Sequence, residues 1–137
     1  MDNLDLKLIG YEKSTITIEN YDQYWCNVRL EFKNSYFNYL NESDILQKTE
    51  VKRIYDMLTK CLSNQLEKDT VLYFDEPDIE FMFFKDKVDK EHHIELRLFM
   101  MYDNIGYTND YFSIRLYNKE INLLRDYLYE LVRGYHE

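Results

Sequence analysis

Leu4, Leu6 and Leu8 alternate with Asp5 and Lys7, a period of two that predicts a half-buried strand stopped near Gly10. Thr15 to Glu19 predicts a second strand. From Tyr24 to Phe32 the alternation is long: Cys26, Val28, Leu30 and Phe32 point one way, and Trp25, Asn27, Arg29, Glu31 and Lys33 the other. A turn at Asn34-Ser35 then lets Tyr36 to Leu40 pair back as a hairpin. The period changes at Val51, Ile54, Tyr55, Leu58, Cys61, Leu62 and Leu66, which form one stripe of a helix over about 48–67. Strand signals return at Thr70 to Phe74 and, after a turn at Asp75-Glu76-Pro77-Asp78, at Ile79 to Phe84. That last run is almost continuously apolar and reads as a central strand covered on both faces. His93 to Tyr102 alternates again, with Ile94, Leu96, Leu98 and Met100 inward and His93, Glu95, Arg97 and Phe99 outward. Tyr111 to Tyr117 follows as its hairpin partner. A second amphipathic helix spans about 119–134, with Asn118 as its N-cap, Ile121, Leu124, Tyr127, Leu128, Leu131, Val132 and Tyr135 as its stripe, and Gly134 at its end.

The order ββββαββββα predicts an α+β fold: an antiparallel sheet of about eight strands with two helices packed on one face. No linker divides residues 1–137, so a single domain is expected. The halves share their element order but no matching residues.

The chain has 137 residues, long enough to bury a core without staples. Glycine and proline number only three and one, which leaves the tight turns to Asn and Asp, as at Asn20-Tyr21-Asp22, Asn41-Glu42-Ser43-Asp44, Asp86 to Lys90 and Asp103-Asn104-Ile105-Gly106. Net charge is −9 with no basic run, which disfavours nucleic-acid and anionic-membrane partners. It favours a basic protein partner steered by opposite charge, or else serves only solubility. The acidic start and the lack of a long apolar segment point to neither secretion nor a membrane span, leaving the cytoplasm as the expected compartment.

Chemistry is scarce. Cys26 and Cys61 fall on apolar stripes and read as small core residues. With glycines only at 10, 106 and 134, no phosphate-binding loop or nucleophile elbow is possible. No catalytic set and no cofactor site is expected. His92 and His93 are sequence neighbours in a strand pattern, so their rings cannot easily share a metal, and His136 lies far off at the end of the chain; no metal site is expected, and both read as solvent-facing. Asp75, Glu76, Asp78 and Glu80 form the densest acidic cluster, either a solvated turn or a contact patch for a cationic partner. The fourteen tyrosines exceed the needs of a core this size, and Tyr and Trp favour interfaces because each buries a rigid area while keeping a polar tip. Tyr21, Asp22, Tyr24 and Trp25 cluster at the entrance to the third strand, and Tyr102, Tyr107 and Tyr111 flank the loop at Gly106. A groove beside the sheet containing His93, Glu95 and Arg97 would favour a small enzyme or ligand-binding module instead.

Leu6-Lys7-Leu8-Ile9-Gly10-Tyr11-Glu12, the Asp22 and Trp25 that lead into the long strand, and Leu72-Tyr73-Phe74-Asp75-Glu76-Pro77-Asp78-Ile79-Glu80-Phe81 after the first helix together resemble the WapI-type immunity proteins of bacterial polymorphic toxin systems. The resemblance implies an inhibitor, not an enzyme, that binds a cognate toxin domain, often a nuclease, inside the producing cell. The acidity implies that this toxin is basic. The residues proposed to touch it are Tyr21, Asp22, Tyr24, Trp25, Asp75, Glu76, Asp78 and Glu80. Oligomeric state is left open.

Overall fold

The computed structural model describes residues 4–8, 11–102 and 106–134. The stop at Gly10, the turn at Asp103-Asn104-Ile105, Tyr135 and His136 lie outside the described residues, as do the side chains of Tyr102 and Tyr107. The order ββββαββββα and the α+β class are as expected. The strands are β1 (Leu4–Leu6), β2 (Lys13–Glu19), β3 (Trp25–Lys33), β4 (Asn38–Gln47), β5 (Thr70–Leu72), β6 (Ile79–Phe83), β7 (His93–Tyr102) and β8 (Gly106–Tyr117), and the helices are α1 (Lys48–Leu62) and α2 (Asn118–Val132). The strands divide four and four into two antiparallel meanders, β1-β2-β3-β4 and β5-β6-β7-β8. The boundary falls where α1 interrupts the chain between β4 and β5.

Alternation builds both sheets. In β3 every second residue from Cys26 to Phe32 is buried, and Ile94, Leu96 and Leu98 do the same in β7. The inner faces of both sheets and one stripe of each helix meet in one hydrophobic cluster. At its centre Ile18, Leu30, Ile54, Phe81, Leu96 and Leu128 surround a void of about 20 Å3, roughly one water in size and lined by aliphatic and aromatic side chains alone. The α2 residue Tyr127 reaches back to the first sheet, where its hydroxyl accepts the Ile18 N–H at 2.8 Å.

Several boundaries differ from the sequence pattern. Asn41-Glu42-Ser43-Asp44 is not a turn but the middle of β4. Its inward positions are polar and hydrogen-bonded: Ser43 Oγ donates to Asn41 Oδ1 at 2.8 Å, and Asn41 Nδ2 donates to Asp78 Oδ2 at 2.8 Å. Helix α1 ends at Leu62, before Leu66, because Asn64 adopts the left-handed conformation (φ 58°). Asn118 is the first residue of α2, with Tyr117 as its cap, and its Oδ1 accepts the His92 N–H at 2.8 Å. Strand β8 begins at Gly106, well before Tyr111. Strand β6 is central, between β5 and β7, but covered on one face only: Phe81 and Phe83 are buried while Glu80 and Met82 are half-exposed.

Candidate partner-binding surface

Two stretches fifty residues apart converge on the start of α1. The chain turns at Asn20 (φ 55°), where the Gln23 N–H donates to the Asn20 carbonyl at 2.9 Å. It then presents Tyr24, whose carbonyl accepts the first N–H of α1, from Lys48, at 2.9 Å. Trp25 opens β3 opposite Gln47, the last residue of β4. From the other side, Asp75 Oδ2 accepts from Gln47 Nε2 at 2.7 Å. Glu50, buried in the first turn of α1, accepts the Gln47 N–H at 2.8 Å on one carboxylate oxygen and the Asp75 N–H at 2.9 Å on the other. A carboxylate in a helix's first turn suits the helix dipole; this one also fastens the 75–76 turn to it.

The eight residues proposed from sequence separate into two groups. Asp22, Tyr24, Trp25, Asp75 and Glu76 lie at the surface. Tyr24 is 67% exposed and meets the half-exposed Trp25 ring edge to face, 6.0 Å between centroids. Tyr21, Asp78 and Glu80 support the fold. Tyr21 is 2% exposed, with the Lys48 ammonium 5.8 Å over its ring. Asp78 is 5% exposed; besides accepting from Asn41 it offers its carbonyl to the Phe99 N–H at 2.8 Å. Glu80 is half-buried and 3.4 Å from Arg97. Tyr73, two residues before Asp75, is exposed, and so is Asp44 in β4, which accepts from Asn27 Nδ2 at 3.3 Å. An aromatic pair among open carboxylates suits a partner surface bearing Lys and Arg, through cation–π contact and ion pairing.

The outer face of the second sheet carries a different cluster. His93 is not solvent-facing: it is 6% exposed. It points outward but is enclosed by its neighbours, stacked on Phe84 (4.5 Å between centroids, 5° between planes) with Tyr117 on 6.3 Å centroids. Arg115 Nη1 lies 2.7 Å from its Nδ1 and the Asp86 carbonyl 3.0 Å from its Nε2. Arginine can only donate, so Nδ1 accepts and Nε2 carries the proton. His92 is buried as well. Desolvation by burial, with the charge of Lys87, holds its pKa below the ordinary 6.5. Glu95 receives Arg97 Nε at 2.6 Å and Arg115 Nη2 at 3.4 Å. Its burial would raise its pKa, but the hydrogen bonds from Arg97 and Ser113 and the charges of Arg97 and Arg115 outweigh this and hold it below the carboxylate range. The guanidinium of Arg97 lies 5.4 Å from the Tyr111 ring centroid, and that of Arg115 4.8 Å from that of Phe84.

His93, Glu95 and Arg97 thus share one face, each already engaged: Glu95 with Arg97, and both Glu95 and His93 with Arg115. A groove of about 490 Å3 lies along β8, and none of the three is among its described lining residues. Cys26 and Cys61 sit in the core, where burial pushes both thiols up to about 11, far from a reactive thiolate. Among the described residues no three His, Cys, Asp or Glu side chains are grouped to hold a metal ion, and no helix is long and apolar enough to cross a membrane.

No curated protein and no solved structure matches the chain. The sequence model of the Immunity protein WapI-like family matches residues 1–136, from the first β-strand through the last helix, and the chain belongs to that family.

Proposed function

We propose that this protein is an immunity protein that binds a cognate toxin domain and neutralises it by direct contact, without catalysing a reaction. The whole-chain family match carries the reading. The toxin domain is basic, of a nuclease type, and is met in the cytoplasm of the producing cell. Contact is made at the junction of β4 and α1, through Asp22, Tyr24, Trp25, Asp75 and Glu76, with Asp44 and Tyr73 at the margin. The net charge of −9 supports fast, charge-steered association, and the Tyr24–Trp25 pair supports slow release, since rigid aromatic anchors dominate interface energetics. The groups that could otherwise suggest catalysis are already engaged: Glu95 with Arg97 and Arg115, and His93 with Arg115 and the Asp86 carbonyl.

Co-expression with the toxin domain encoded beside its gene tests the reading. A stable complex and survival of the cells are expected. Absence of both overturns it. Within the complex, Tyr24→Ala is expected to weaken binding about thirtyfold, the effect of losing a hot-spot aromatic, with unchanged stability of the free protein. An unchanged Kd moves the contact elsewhere.

A further inference from the structure

The four edges of the two sheets are not equally protected. Strands β1 and β5 have three residues each. The β4 edge is long but places exposed Glu42 and Asp44 along its outer side. Short strands and exposed charges both discourage strand addition. Strand β8 is the longest of the four, with twelve residues and neither Lys nor Pro; its exposed charges are Asp110 and Arg115, the second bordering the groove, and among the described residues it pairs with β7 alone. The groove of about 490 Å3 follows this open edge, a volume typical of a ligand site. One wall is formed by residues 113–115 and 117 of β8. Lys7, Leu8 and Tyr11, at the end of β1, form the other, and Lys119 stands where α2 begins. One side of the groove is therefore an open strand edge, and the far side is closed by Lys7, Leu8 and Tyr11, which follow β1 in the chain.

Its charge runs against the rest of the molecule. In a chain of net charge −9, the described lining sets Lys7, Arg115 and Lys119 against Glu91 and Glu120, with Arg115 also 3.4 Å from Glu95 on β7. Glu120 is already engaged, accepting the Tyr117 N–H at 3.1 Å. No described residue forms an ion pair with Lys7 or Lys119. An open edge supplies main-chain hydrogen bonds to an extended chain, and the side chains beside it select what that chain carries. We infer that this slot receives an extended acidic segment of the toxin chain, which adds to the second sheet beside β8 with its carboxylates towards Lys7 and Lys119. The inference rests on the toxin-binding reading and assigns it a second contact, of opposite charge to the first.

Hydrogen exchange on the protein with and without its toxin domain, for wild type and for the double variant Lys7→Glu with Lys119→Glu, tests it. Both lysines are exposed, and Glu at position 119 suits the start of a helix, so the variant is expected to fold. The expected result is slowed exchange of the 113–117 amides in the wild-type complex and a Kd weakened about tenfold or more in the variant, as for reversing charges at an interface. If the toxin domain binds wild type but the 113–117 amides exchange as fast as in the free protein, or the variant binds as well as wild type, the slot inference falls and toxin binding stands. If the toxin domain does not bind wild type, the functional reading falls first and the slot with it. If protection of 113–117 rises with protein concentration alone, the occupant is a second copy and the inference is overturned.

Discussion

In the first half of the chain β4 runs into α1 between Gln47 and Lys48; in the second, β8 runs into α2 between Tyr117 and Asn118. Both helices have fifteen residues, and the third residue of each is a glutamate that accepts the N–H of its capping residue. The two glutamates differ in reach. Among the described residues Glu120 serves only its own helix, at 3.1 Å, and it is half-buried. Glu50 is 3% exposed and uses its second oxygen on Asp75, in the other half of the chain. The same local device is thus a helix cap in one half and a tie between halves in the other, and the proposed partner surface is built on the tie.

Leu58→Ala in α1 and Leu128→Ala in α2 give the largest expected effects. Both side chains are buried in the shared core, and each change is expected to cost about 3–4 kcal/mol in urea denaturation, the usual range for a buried leucine. Both variants are expected to unfold in one transition, as a single domain would; two separate transitions would show that the halves unfold on their own. Glu50→Ala comes next, at about 3 kcal/mol, because it removes two charge-assisted hydrogen bonds and leaves the Asp75 N–H without its acceptor. Glu120→Ala is expected to cost about 1 kcal/mol, the value of a cap. Equal losses at the two sites would erase the distinction between tie and cap.

A smaller effect, of opposite sign, belongs to the first half. Thr15 Oγ1 in β2 is buried without a hydrogen-bond partner among the described residues. Thr15→Val is therefore expected to raise stability by about 1 kcal/mol, since a buried unpaired hydroxyl costs free energy that a methyl group does not. Acid sensitivity belongs to the second half. The folded pKa of His92 lies below the ordinary 6.5, so the unfolded chain takes up the proton first. Stability is then level above about pH 6.5 and falls as pH drops through the folded value. Glu95, held below its ordinary 4.5, adds a further loss on the acid side of that value. In a pH series of thermal melts, His92→Gln is expected to flatten the first decline and leave the second.

The elements with one buried face were legible in the sequence. Alternation placed β3 and β7, and the three- to four-residue spacing placed both helices. Strand β4 was misread because Asn41 and Ser43 point inward on an edge, where hydrogen bonds to Asp78 and within the strand replace apolar packing. Strand β6 reads as doubly covered because Met82 is apolar, although its face of the strand is left half-exposed. His93 did take the outward face, but only its contacts with Phe84, Tyr117 and Arg115 reveal that it is enclosed. At the partner surface, composition marked Tyr21 and Tyr24 alike. The turn at Asn20 leaves one in the core and the other in solvent. That 21–25 and 75–76 meet at all depends on hydrogen bonds from both stretches to residues 47–50, a long-range fact that no local pattern carries.

The two joints between strand and helix contain no spare residue. A helix advances about 100° per residue, so one residue inserted between Gln47 and Lys48 would swing Val51, Ile54 and Leu58 out of the core unless β4 slipped its register to compensate. A hairpin turn has no such constraint. Tyr36, between β3 and β4, is 94% exposed, and its loop is held by Asn34 Oδ1, which accepts the N–H groups of residues 36 and 37. An epitope tag or fluorophore belongs there, while the joints set a fixed length that any redesign of the contact surface has to keep.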